Sequence, residues 1–392
     1  VQHTKPPVTP IVSPVAASPV ASHHALHAAS FASLGRHTDE SRAGLFVWPG
    51  LAGTRLSEHE TRTLEKYRPS GVVLFRRNLA SLAQGQALVK DIRAILPGCV
   101  VSIDEEGGRV ARLPWPVPRG LTALQLGDAR DFSKAESQTL LQAMVSRGLG
   151  IDTIFAPVAD ILTREHNPVM DERCYGRDAD TVSRFVEVAC SALASQGVRG
   201  CVKHFPGHGN TTTDSHYDFA ESDADLETLR AREWEPFRRA FARGVSLCMT
   251  AHVRVPALDP KFPATLSRTV LQAYLREELG FDGLVVSDDL RMKAVALHYG
   301  VKNHVTSAAI VSDIGGDVAG AKSGYLARAG VDALAAGCDI LLSCQSVVLE
   351  EELLAGVALA LKTNAAFSTE MEGRLFRFVK TGVLGDPVSA AL

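Results

Sequence analysis

The chain has no run of eighteen apolar residues, no Cys-x-x-Cys pair, only 6% aromatic side chains and no surplus of positive charge. The first absence excludes a membrane-spanning helix. The second excludes a paired-cysteine zinc or redox motif, and the seven cysteines are odd in number and scattered, several of them inside apolar runs. They read as reduced, buried thiols. With 41 Lys and Arg against 44 Asp and Glu, the net charge of −3 offers no broad basic surface, so neither nucleic acid nor an anionic membrane is expected as a partner. The N-terminus lacks a basic segment followed by an unbroken apolar core, which makes a cytoplasmic location the expectation. Because the chain opens on Val1, an upstream targeting segment removed earlier stays open.

What is present is a 392-residue chain, 46% hydrophobic, able to bury one large α/β core or two ordinary ones. Residues 1–40 are rich in Pro, Ala, Ser, Val and His without helical or alternating period, and read as a disordered extension. From Gly44 short apolar runs alternate with stretches of helical spacing. The expected strands are 44–48, 71–75, 100–103, 153–156, 200–204, 245–250, 283–287 and 339–343. The expected helices are 58–67, 79–95, 133–147, 180–196, 226–242, 267–278, 325–336 and 347–362. Ser57 with Glu60 and Ser133 with Glu136 have the spacing of capping boxes. Eight strand–helix pairs predict a single α/β domain folded as a (β/α)8 TIM-like barrel with long active-site loops. A doubly wound dinucleotide fold is disfavoured, because Gly50–Thr54 reads GLAGT and not G-x-G-x-x-G.

A barrel keeps its reacting groups at the C-terminal ends of its strands. Asp104, Asp160, Lys203 with His204, His252 and Asp288 all fall there, and several charges converging on one face are hard to explain as packing. The densest stretch is Lys203–His216, KHFPGHGNTTTDSH. Its histidines invite a metal, yet the spacing matches no H-E-x-x-H pattern and the Pro206–Gly207 turn splays His204 from His208, so no metal is expected. In DEEGGRVARL, Gly107 and Gly108 permit a tight turn beside a ligand, Asp104 and Arg112 are candidate contacts, and Glu105 reads as structural. Of the adjacent Asp288 and Asp289, one should enter the site and the other cap the next turn; strand alternation does not say which.

KHFPGHG followed by DSH, with SDDLRM, DEEGGRVARL and MTAHVRVPALDP, resembles the β-N-acetylglucosaminidases of glycoside hydrolase family 3 from about Gly44 to about Gln345. The resemblance implies a catalytic domain over 41–385, with a short tail at 386–392. It implies Asp288 as nucleophile, His216 as general acid/base polarised by Asp214, and Asp104, Arg112, Arg173, Lys203 and His204 as substrate contacts. It further implies a retaining, exo-acting hydrolase of terminal β-linked N-acetylglucosamine that needs no cofactor. Its small-molecule partner would be an N-acetylglucosaminyl anhydro-muropeptide met in peptidoglycan recycling. Such chemistry suits the residues, since a retaining glycosidase needs one attacking carboxylate and one proton donor, and a carboxylate-supported imidazole can serve as the donor. A β-glucosidase or a phosphorylase on the same fold, or a non-catalytic sugar-binding barrel, are the alternatives. Glu105 stands where the family commonly has His or Gln, and residues 300–323 look inserted.

Overall fold

The computed structural model describes residues 37–164, 167, 169–211, 220–301, 324–345 and 350–384. Eight parallel strands form the centre: β1 (Val47–Pro49), β2 (Gly71–Leu74), β3 (Val100–Ile103), β4 (Thr153–Ile154), β5 (Arg199–Phe205), β7 (Leu247–Thr250), β9 (Leu284–Asp289) and β10 (Ile340–Ser343). Their order is β1-β10-β9-β7-β5-β4-β3-β2, and a bridge between Gly50 and Val73 joins the two ends. The result is the expected (β/α)8 barrel. Nearly every residue of these strands is buried, which is why they appear in the sequence as continuous apolar runs and not as alternating patterns. β6 (Ala220–Glu221) and β8 (Val253–Arg254) add a small parallel ladder outside the barrel that the sequence pattern did not suggest.

Around the strands lie α1 (Asp39–Leu45), α2 (Glu58–Tyr67), α3 (Leu82–Ile95), α4 (Ala123–Ala129), α5 (Phe132–Leu149) and α6 (Ala179–Ser195). They are followed by α7 (Glu235–Ala242), a π-wound helix over Thr269–Glu278, α8 (Lys293–His298), α9 (Tyr325–Ala336), α10 (Glu351–Thr363) and α11 (Ala365–Lys380). The Ser57–Glu60 capping box starts α2 as expected. At α5 the cap is instead Asp131, whose carboxylate accepts from Lys134 N–H at 2.8 Å, so Ser133 is already inside the first turn.

Two further expectations are corrected. The expected strand 44–48 begins as helix, because Thr38 caps α1 by accepting from Ser41 N–H, and the strand itself starts only at Val47. The expected helix 226–242 is broken: a π turn at Leu229–Glu233 precedes α7, whose first turn holds Pro236, a residue with no N–H to give. All seven cysteines are free, and only Cys344 is not fully buried. Among the described residues no helix is long and apolar enough to cross a membrane.

Candidate active site

Two irregularities at the C-terminal rim of the barrel shape the site. Between β5 and β7, Lys203 pairs with Met249 but Phe205 with Thr250; between β9 and β10, Val286 pairs with Ile340 but Asp289 with Leu342. Each strand therefore carries one extra residue, the signature of a β-bulge, which bends the strand and re-aims its side chains. The bulges fall at Lys203–His204–Phe205 and at Val286–Asp289. Lys203, His204 and Asp288 consequently line one cleft of about 340 Å³, together with Asp104, Glu106, Arg109, Arg112 and Arg173. Phe155, Met249, Met292 and Leu342 supply apolar wall.

The polar wall is a chain of alternating charges. Lys203 Nζ lies 2.8 Å from Asp104 Oδ1 and 2.6 Å from Glu106 Oε1. Arg173 donates to both oxygens of Glu106, each at 2.8 Å, in a fork that fixes its plane. Burial penalises the Glu106 carboxylate, but Arg173 and Lys203 more than reverse this and hold it well below the usual carboxylate range. Burial alone would likewise lower Lys203 and Arg173; Asp104 and Glu106 raise the first and Glu106 raises the second, so both cations are secured.

Arg173 Nη2 is 3.3 Å from His204 Nε2, and Asp160 Oδ2 is 2.7 Å from His204 Nδ1. A guanidinium can only donate, so Nε2 accepts and the Nδ1–H goes to Asp160. Asp160 also accepts from the backbone N–H groups of His204 (3.1 Å) and His208 (2.6 Å). Burial raises this carboxyl, and His204 with the His208 N–H outweighs burial, leaving it low. His208 turns its Nδ1 to Thr211 Oγ1 at 2.8 Å, and burial followed by the neighbouring His204 lowers it to about 4. It is neutral at pH 7 and holds the turn. Gly209 is required there, because a Cβ would sit 1.8 Å from Ile161 O.

The Asp104–Leu113 loop is wound around Glu105. Its buried carboxylate accepts from the N–H groups of Arg112 (2.6 Å) and Leu113 (2.9 Å), confirming a structural role and presenting Arg112 to the cleft. Gly107 and Gly108 both take positive φ, and a Cβ on Gly107 would meet Gln138 at 2.5 Å. Arg112 Nε is buried with no hydrogen-bond partner, a donor that a bound hydroxyl or carbonyl would satisfy.

The bulge separates the two aspartates. Asp288 lines the cleft, its Oδ1 accepting from Asp289 N–H at 2.7 Å. Asp289 turns away and accepts from Arg291 N–H (3.0 Å) and Cys344 N–H (3.2 Å). His252 does not join the cleft: it bridges Thr265 Oγ1 (2.8 Å) and Asp289 O (2.9 Å), so the strand-end test over-counted it. Glu106 and Arg109 were missed, hidden in a charge-rich loop; a carboxylate beside two Gly at a strand end was the available signal. Asp214 and His216 lie outside the described residues. Among the described residues no three His, Cys, Asp or Glu side chains are grouped to hold a metal ion.

A parallel eight-stranded barrel with carboxylates, cations and apolar wall gathered at its C-terminal mouth defines an enzyme of the TIM-barrel class. The family profile described as "Glycosyl hydrolase family 3 N terminal domain" matches residues 38–377. The chain is 34% identical over 333 residues to a beta-hexosaminidase of Stenotrophomonas maltophilia (strain K279a), covering 83% of this chain and 91% of that protein. It is 33% identical to a beta-hexosaminidase of Neisseria meningitidis serogroup C (strain 053442), covering 78% and 80%. Among solved structures, a family 3 beta-N-acetylglucosaminidase from Paenibacillus sp. str. FPU-7 superposes with a TM-score of 0.77 at 32% identity; the alignment covers 89% of this chain and 64% of that one. Native NagZ from Neisseria gonorrhoeae gives 0.66 at 27%, covering 84% and 97%. The chain belongs to glycosyl hydrolase family 3 and is a glycoside hydrolase.

Proposed function

We propose that this protein is an exo-acting, retaining β-N-acetylhexosaminidase that removes terminal β-linked N-acetylglucosamine through a glycosyl-Asp288 intermediate. The observation that carries the reading is the single cleft in which Asp288 faces Asp104, Arg112, Arg173, Lys203 and His204. The β-hexosaminidases it resembles over most of their length supply the sugar class. Asp288 attacks the anomeric carbon, with its carboxylate rotation set by the Asp289 N–H. Asp104, Arg112 and the Lys203–Glu106–Arg173–His204 chain hold the sugar's hydroxyls and acetamido oxygen by charge-assisted hydrogen bonds. His216, oriented by Asp214, protonates the leaving oxygen and then takes a proton from the attacking water. The natural substrates are N-acetylglucosaminyl anhydro-muropeptides, which places the enzyme in peptidoglycan recycling.

Comparing turnover of nitrophenyl β-N-acetylglucosaminide and nitrophenyl β-glucoside, with and without phosphate, tests the substrate. Preference for the glucoside, or a rate that requires phosphate, would contradict the proposal, and no turnover of either would leave a sugar-binding barrel. For the proton donor, His216→Ala should slow cleavage of a poor leaving group far more than that of an activated phenol, and equal losses would argue against the role.

A further inference from the structure

The β9 bulge that turns Asp288 into the cleft is fastened from one side. Ser287 Oγ accepts from Leu342 N–H at 3.0 Å and Leu290 N–H donates to Leu342 O at 3.0 Å, joining the bulged end of β9 to β10. Asp289 adds its contacts with Arg291 N–H and Cys344 N–H. Beyond these, Arg291 Nε reaches both oxygens of Glu350, at 2.9 and 3.1 Å, and Ser343 Oγ donates to the same carboxylate. The Glu350 side chain is fully buried. Burial pushes the Glu350 carboxyl up to about 7 while Arg291 and the Ser343 hydroxyl oppose this, so its charge is kept only by these partners, and removing one member of the pair leaves the other stranded. Through the Glu350 carboxylate, Arg291, three positions beyond Asp288, is tied to Ser343, the last residue of β10, across the strand junction where the bulge forms.

We infer that Arg291 and Glu350 are positioning residues that hold the β9 bulge in the register that aims Asp288 at the anomeric carbon. Neither residue lines the cleft, so their effect passes through the backbone from Asp289 to Arg291. The inference rests on Asp288 being the nucleophile. A small displacement of an attacking group costs rate while leaving binding of the sugar to Asp104, Arg112 and Lys203 unchanged.

The test uses the full chain with Arg291→Ala, Glu350→Gln, Arg291→Lys and the apolar pair Arg291→Met with Glu350→Leu. Turnover of nitrophenyl β-N-acetylglucosaminide is measured well below each variant's melting temperature, alongside the rate of covalent trapping by a fluorinated glycosyl donor. R291A and E350Q should lose about tenfold or more in kcat with KM within about threefold, the trapping rate falling in proportion, and R291K should recover part of the loss. The apolar pair, free of a stranded charge, should fold and show the same loss. Folded variants with kcat within about twofold of the unaltered protein, or a loss confined to KM, would overturn the inference. If the unaltered protein itself does not cleave the N-acetylglucosaminide, it is the functional reading that fails.

Discussion

Glu106 is the residue on which the polar wall of the cleft depends, since among the described residues it alone pairs with both Lys203 and Arg173. Glu106→Ala strands buried Arg173 and leaves Lys203 only Asp104, and breaking such a buried pair costs about 3–5 kcal/mol of stability; chemical denaturation would measure it. Glu106→Gln keeps the shape but not the charge, and should lower kcat/KM for the N-acetylglucosaminide by roughly a hundredfold. His208 supplies a pH dependence whose sign follows from its depressed value of about 4. Between the ordinary imidazole value near 6.5 and about 4, the unfolded chain binds a proton the folded one does not. Stability from this group is therefore complete above that window and is lost as pH falls through it, by about 1.4 kcal/mol per pH unit. Urea midpoints from pH 7 to pH 4 should fall less steeply in His208→Gln than in the unaltered protein.

Among elements, the strands and helices were legible wherever one physical signal acted alone. The strands 71–75 and 100–103 are apolar runs buried on both faces, and α2 and α9 coincide with their expected spans. Errors arose where two signals competed: Asp131 outcompeted Ser133 as a cap, and Pro236 split a stretch whose apolar period ran on unbroken. The site was legible as a set of strand-end charges because a barrel brings such ends together. The choice between Asp288 and Asp289 came only from the family resemblance and not from the strand pattern, since a bulge is created by pairing with another strand and leaves no trace in the period of its own. Glu106 and the Arg291–Glu350 pair were hidden for the same reason, their partners being 67 and 59 residues away. At the turn after β5, Gly209→Ala should misplace His208 against Ile161 and reduce kcat/KM, while an unchanged rate would show that the turn can relax.

At the scale of the whole molecule, the two ends of the barrel divide the labour. Opposite the cleft, at the start of β10, buried Asp339 accepts from Arg276 Nη2 (2.6 Å), Arg377 Nη1 (3.1 Å) and Val285 N–H (2.8 Å), tying the strands to α11 and the Thr269–Glu278 helix. Asp339→Ala should lower stability by about 3–5 kcal/mol while kcat of the folded enzyme stays unchanged, since the N-terminal end of a barrel's strands serves its stability and not the chemistry. The C-terminal rim shows the converse design, with bulges on β5 and β9 and buried charges held in fixed order around one cleft. Its proposed role is to place the Asp288 carboxylate against the anomeric carbon of the sugar. The most direct measurement is mass-spectrometric mapping of the enzyme after reaction with a fluorinated N-acetylglucosaminyl donor. A single glycosyl adduct is expected on Asp288, absent in Asp288→Ala. An adduct on Asp289 or on any other residue, or release of a sugar with inverted anomeric configuration and no adduct, would contradict it.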